Sequence, residues 1–214
     1  MYLPSHFDEP RLPVLHELIR ARPLATLVTL AGGAIEANHV PLHLSPHEGP
    51  FGTLRGHVAR ANGLWRETDA DGEVLAIFQG PDAYVTPSWY PTKAETGKAV
   101  PTWNYAVVHA RGRLRVHDDD AWLRAHLAAM TAEREGARAE PWRLEDAPAD
   151  YTNKLIGAIV GIEIVITRLA GKWKTSQNQP PRNRAGVARG LRSEDDSDAL
   201  EMAALVRAEG PPTA

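Results

Sequence analysis

Four groups of residues have types and spacings suited to chemistry. Gly56-His57-Val58-Ala59-Arg60-Ala61-Asn62 stands where a strand pattern hands over to a short helix. A helix start offers free N–H groups to a phosphate; Arg60 can add a two-pronged charged contact and His57 a further donor. A capped helix with a solvated arginine explains the same residues and is the commoner arrangement. A second group runs from Tyr84 to Tyr105, where two Trp and three Tyr fall within 22 residues, with Lys93 and Lys98 between them. Aromatic faces beside a cation can stack a planar ring and hold a negative group, and the same composition suits a packed subunit interface. His39, His43 and His47 share a spacing of four, which on one strand puts all three on one face. A metal there lacks an evident carboxylate partner, so partly exposed strand histidines are the expectation. Lys172-Trp173-Lys174-Thr175-Ser176-Gln177-Asn178 sets two cations around an aromatic, then four neutral polar side chains. That set suits phosphate, a flavin edge or a nucleic-acid backbone, and equally a solvated basic tail.

These groups need elements to hold them. Asp8 can cap a helix over 10–20, with Leu12, Leu15, Leu18 and Ile19 as its apolar stripe. Leu24 to Leu30 and Ile35 to Leu44 read as strands joined at Ala31-Gly32-Gly33, a hairpin signal. Further strands are expected over 52–58, 74–78, 83–86, 103–116 and 161–169, with Gly80-Pro81 separating the fourth and fifth of the seven. Short helices are expected over 61–68 and 151–159, with a turn at Asp69-Ala70-Asp71-Gly72. Asp118 to Asp120 can cap a longer helix over 121–134, and 87–101 reads as a long loop. Hairpin-connected strands with outlying helices make a mainly β fold with peripheral helices, an antiparallel barrel or sheet.

The chain has 214 residues, a net charge of −3 and no cysteine. Thiol nucleophiles, disulfides and cysteine-ligated metals are excluded outright. The dinucleotide, P-loop, nucleophile-elbow and zincin motifs are all absent. The start, MYLPSHFDEP, is too polar for a signal peptide, and the most apolar stretch, Leu155 to Ile166, holds Glu163 and is too short for a bilayer. A cytoplasmic protein with no membrane partner is expected. Residues 168–192 carry seven basic residues and no acid, and 193–214 carry six acids against one arginine. One domain over 1–192 with an acidic C-terminal tail or helix over 193–214, frayed at its last five residues, is the expected organisation.

The blocks MYLPSHF, GTLRGHVARANGLWR, AIFQGPDAYVTPSWYPTK, VPTWNYAVVHARGRLRV and KWKTSQN occur in this order from Met1 to about Leu191. In that order they resemble the PaiB family, described as FMN-binding negative transcriptional regulators. The resemblance implies the FMN-binding split β-barrel shared with pyridoxamine-phosphate oxidases, with FMN as cofactor and a homodimer carrying flavin at its interface. Carried over residue by residue, it implies a phosphate contact in the stretch His57 to Asn62, Arg60 foremost and Asn62 beside it. Asn38, His39, Val40 and Pro41 would line the flavin ring. Trp89 and Lys93 match the aromatic–lysine block, and Lys172, Lys174, Ser176 and Gln177 match the C-terminal block. The sequence departs from the pattern at Gly63, where the family usually has proline, at Gln179, where it tends to have arginine, and at Asn183, roughly where an acid often follows.

Two functions follow from the resemblance. One is a flavin-binding regulator, for which the basic stretch 168–192 is the candidate DNA contact, since no helix-turn-helix is evident. The other is an FMN-dependent oxidoreductase acting on a small planar substrate, in which the flavin supplies the redox chemistry and no catalytic residue stands out. A barrel that has lost its flavin is a third possibility, pointed to by the three departures.

Overall fold

The computed structural model describes residues 1–68 and 72–207. Residues 69–71 of the turn expected at 69–72, and the last five residues expected to fray, lie outside them. Strands β1 (Asp8–Glu9), β2 (Leu24–Ala31), β3 (Ala34–Pro41), β4 (His43–Ser45), β5 (Thr53–Ala59), β6 (Glu73–Val85), β7 (Thr102–His117) and β8 (Ile159–Lys174) belong to one sheet. Its order is β3-β2-β6-β7-β8-β5-β4, with β1 pairing β8. The pairings β2–β3, β2–β6, β4–β5, β5–β8 and β1–β8 are antiparallel. The helices are α1 (Leu12–Ala21), α2 (Leu64–Glu67), α3 (Pro91–Thr96), α4 (Asp120–Glu135), α5 (Ala149–Ile156), α6 (Pro181–Leu191) and α7 (Ser197–Arg207).

The chain forms two compact units. One comprises residues 1–18, 79–109 and those from Ala170 onward; the other comprises 19–78 and 110–169. The second unit contains the β2–β3 hairpin. Gly32 and Gly33 turn it with φ of 56° and 85°, a left-handed pair that a two-residue hairpin turn requires. Alternation along the strands puts Leu27, Leu54, Ala76, Phe78, Ile162 and Ile164 fully inside. The helix expected after the triple aspartate is α4, and Asp119 caps it by accepting the Trp122 N–H at 2.8 Å.

The first unit has its own apolar cluster. Val187, Ala188 and Leu191 of α6 and Ala199, Met202, Ala203 and Val206 of α7 pack with Ala83, Val85 and Tyr90. The acidic segment after Arg192 therefore supplies a helix with a buried apolar face.

Several sequence expectations change. The first helix begins at Leu12, because Asp8 and Glu9 pair with Lys172 and Gly171 instead of capping it. The buried Glu9 carboxylate takes the Arg11 backbone N–H and guanidinium. Gly80-Pro81 does not break β6. A Cβ at Gly80 would stand 2.7 Å from a Leu18 methyl and 3.0 Å from the Ala106 carbonyl oxygen, so the glycine serves close approach within a continuous strand. The strand expected over 35–44 breaks at Leu42, whose N–H donates to the Pro23 carbonyl at 2.9 Å. His39 and His43 consequently sit on different strands, at opposite ends of the sheet order. The expected loop 87–101 contains a 3-10 turn at Pro87–Trp89 and α3. The last strand runs on to Lys174, and 181–191 is a helix, so the basic stretch is no free tail.

Candidate functional site

The second unit holds the residues expected around the flavin ring and phosphate. Antiparallel pairing sets Asn38, His39, Val40 and Pro41 of β3 opposite Leu27, Thr26, Ala25 and Leu24. Val40 is buried, whereas His39 and Pro41 are exposed. Asn38 and Asn62 meet: the Asn62 amide donates to Asn38 Oδ1 at 2.9 Å, and Asn62 Oδ1 accepts the Leu64 N–H. Asn62 thus organises the start of α2 although Gly63 is its N-cap.

Arg60 leaves the end of β5 with its N–H on the Ala158 carbonyl. Its guanidinium meets both oxygens of Asp118 and the carbonyls of Gly157 and Ile159. The pair is at the surface, where the carboxylate raises the Arg60 pKa and the guanidinium lowers that of Asp118. A phosphate reaching Arg60 must exchange with Asp118.

His57 sits in a histidine–tryptophan group that sequence reading missed. Its Nδ1 lies 3.2 Å from His126 Nε2, and Trp122 stacks on His117 at 4.2 Å between ring centroids and on His126 at 5.4 Å. Burial lowers the pKa of His57, and burial with the neighbouring His57 lowers that of His126 to about 4. Both rings are neutral at pH 7. Gly161 makes room for this stack, since a Cβ there would meet the Trp122 ring at 2.3 Å. His43 bonds Glu133, and no cluster of three metal-ligating side chains occurs among the described residues.

The first unit holds the remaining candidates. Trp89 is seated on α6, where Gly186 and Gly190 leave space for its carbonyl and its ring. Lys93 is exposed on α3. Lys172 is buried, donates to the Tyr2 carbonyl at 3.1 Å and lies over the Tyr2 and Tyr105 rings. Gln177 spends both ends of its amide locally: Oε1 accepts from Thr175 N–H and Oγ1, and Nε2 donates to the Trp173 carbonyl.

Lys174 and Ser176 differ, because they open onto a cavity of about 300 Å³. The volume lies at the lower end of small-molecule sites. Lys174 Nζ donates to Thr102 Oγ1 at 2.6 Å, and the buried Asn104 donates to Ser176 Oγ at 2.9 Å. Ser176 takes a left-handed φ of 62°, the sole non-glycine residue with positive φ among the described residues. Such a conformation costs of the order of 1 kcal/mol and here aims the hydroxyl at Asn104. The two C-terminal departures from the family pattern meet in this cavity: the Asn183 amide donates to Gln179 Oε1 at 3.1 Å. A neutral amide pair stands where the pattern has an arginine and an acid. Asn104, Thr102, Lys98 and Asn183 were not legible as one site, since residues 98–104 and Asn183 stand far apart in the chain.

A family model described as "Putative FMN-binding domain" matches residues 1–168. The chain is 30% identical to the Bacillus subtilis protein named protease synthase and sporulation protein PAI 2, over 96% of each chain. It is 33% identical to an uncharacterized protein of Emericella nidulans over 98% of each. Among solved structures, the flavocytochrome Anf3 of Azotobacter vinelandii superposes with a TM-score of 0.58 at 16% identity, over 78% of this chain and 69% of that one. The FAD and heme binding protein of Mycobacterium smegmatis gives 0.58 at 17%, over 78% and 73%. These likenesses fix the fold as a split-barrel, pyridoxamine-phosphate-oxidase-like architecture.

Proposed function

Because the chain belongs to the FMN-binding domain family of PaiB-type proteins, we propose that it is a flavin-dependent negative regulator of transcription, acting as a cytoplasmic homodimer. Its cofactor is FMN. When bound, FMN supplies two-electron redox chemistry that no side chain here possesses.

The residues present fit that cofactor. The cavity beside Lys174 offers buried hydroxyl and amide donors, and its lining includes no acidic side chain. A phosphorylated, hydrogen-bonding ring system needs that donor set. Lys174, Ser176 and Asn104 would hold polar groups of the flavin. In the second unit Arg60 retains the chemistry for a phosphate once Asp118 is exchanged.

The observation that carries the cofactor reading is the family match along residues 1–168, joined to this acid-free donor cavity. The regulatory part rests on the family resemblance. Within the basic stretch, Arg182 pairs with Glu95, while Arg189 and Arg168 are exposed cations suited to a DNA backbone.

The test is a visible spectrum of protein purified without added cofactor, followed by FMN titration and a promoter-fragment shift at two salt concentrations. One FMN per chain and a salt-dependent shift altered by flavin support the reading. No flavin binding after reconstitution sinks the cofactor. Flavin binding with no shift at either salt sinks the regulatory part.

A further inference from the structure

The cavity in the first unit, on which the flavin reading draws, has a charge balance of its own. Its lining includes two ammonium groups, on Lys98 and Lys174, and no carboxylate. The other polar groups of the lining, among them Thr102, Asn104, Ser176 and Asn183, are neutral hydroxyls and amides. Three of these, Asn104, Ser176 and Asn183, are more than nine-tenths buried.

Several cations elsewhere among the described residues meet a carboxylate. Arg11 pairs with Glu9, Arg55 with Glu48 and Glu163, Arg60 with Asp118, Arg111 with Glu73 and Arg182 with Glu95. Lys174 instead donates to a neutral hydroxyl. Gln179 and Asn183, where the family pattern carries opposite charges, add none. A concave, partly buried pocket with two cations and fixed neutral donors attracts an anion with several acceptor oxygens. Hydroxyl and amide N–H groups then orient it. The Ser176 backbone strain is consistent with a position held for binding.

We propose that this cavity is an oxyanion site for a phosphate-class ligand, held by Lys98 and Lys174 and oriented by Thr102, Ser176 and Asn183. The occupant is either the phosphate of FMN or a free phosphorylated small molecule. The proposal deepens the flavin reading by naming the group this cavity takes, and it rests on that reading only where FMN is the occupant.

The test uses the full chain and inorganic phosphate as probe. The melting temperature is followed in phosphate against chloride at equal ionic strength, for the wild type and for Lys98→Ala and Lys174→Gln. Lys98 is exposed, so Lys98→Ala folds even if Lys174→Gln does not. Phosphate at about ten times its Kd should raise the wild-type Tm by roughly three to five degrees. Loss of most of that rise in Lys98→Ala supports the site. FMN is then added. If FMN abolishes the phosphate effect and riboflavin does not, the flavin's own phosphate is the occupant. If the phosphate effect persists with FMN bound, the ligand is a separate one. Phosphate no better than chloride, or a rise unchanged in Lys98→Ala, overturns the proposal. Absence of FMN binding with the phosphate effect intact overturns the flavin reading alone.

Discussion

The guanidinium of Arg60 meets both carboxylate oxygens of Asp118, at 2.5 and 2.9 Å, at the surface of the second unit. The side chain best suited by type to hold a phosphate is thereby occupied by an internal anion. Asp118→Asn should keep the fold, weaken the competitor and tighten FMN binding by about threefold or more. Arg60→Ala should weaken it by about tenfold, the scale of one charged hydrogen bond. Fluorescence titration measures both. An unchanged Kd in both variants, with a lowered Tm in Arg60→Ala, makes Arg60 a clamp between β5 and the residues around Gly157.

Acid should unfold this protein through His126 before its carboxylates titrate. The pKa of His126 is about 4 in the native state, against about 6.5 for a free histidine. The unfolded chain therefore binds more protons between those values, and stability falls as pH drops from about 6.5 towards 4. The total is of the order of 3 kcal/mol. His57 shifts in the same direction. Urea unfolding at half-unit pH steps checks this, and His126→Gln should flatten the slope. A wild-type slope absent between pH 6.5 and 4.5 contradicts it.

Gly186 of α6 faces the backbone of Trp89. A Cβ there would lie 2.0 Å from the Trp89 carbonyl oxygen, which no rotamer change can move away. Gly186→Ala should destabilise by about 1–3 kcal/mol through overpacking, despite a helix-propensity gain of up to about 1 kcal/mol. A denaturant midpoint equal to or above the wild type would show that α6 can shift freely.

Ser176 combines a left-handed backbone with a hydroxyl on buried Asn104. Ser176→Ala keeps the strain and leaves the Asn104 amide without that acceptor, so a loss of about 1–3 kcal/mol is expected. Ser176→Gly loses the same bond but relieves the backbone, and should be more stable than Ser176→Ala by about 1 kcal/mol. The reverse order in thermal unfolding would place the energetic weight on side-chain packing.

The sequence determined a good deal on its own. Alternating apolar residues gave the strands β2, β5 and β7, because period two is a local property of the chain. Gly32-Gly33 gave the hairpin, because only glycine takes two left-handed φ angles without cost. The run Asp118 to Asp120 before an apolar-periodic segment gave the start of α4, and the fold chose Asp119 as its cap. The family's long aromatic blocks led to the split-barrel fold and to FMN. What the sequence left undecided depends on contacts between distant segments. Gly80-Pro81 looks like a break until Leu18 and the Ala106 carbonyl are found against it. The acidic end looks solvated until Met202 and Val206 are seen buried with Leu191. Arg60 looks free until Asp118, 58 residues away, takes its guanidinium. Lys174, Asn104 and Asn183 become one cavity only when β7, β8 and α6 are folded, since a site's charge balance is set by which side chains meet.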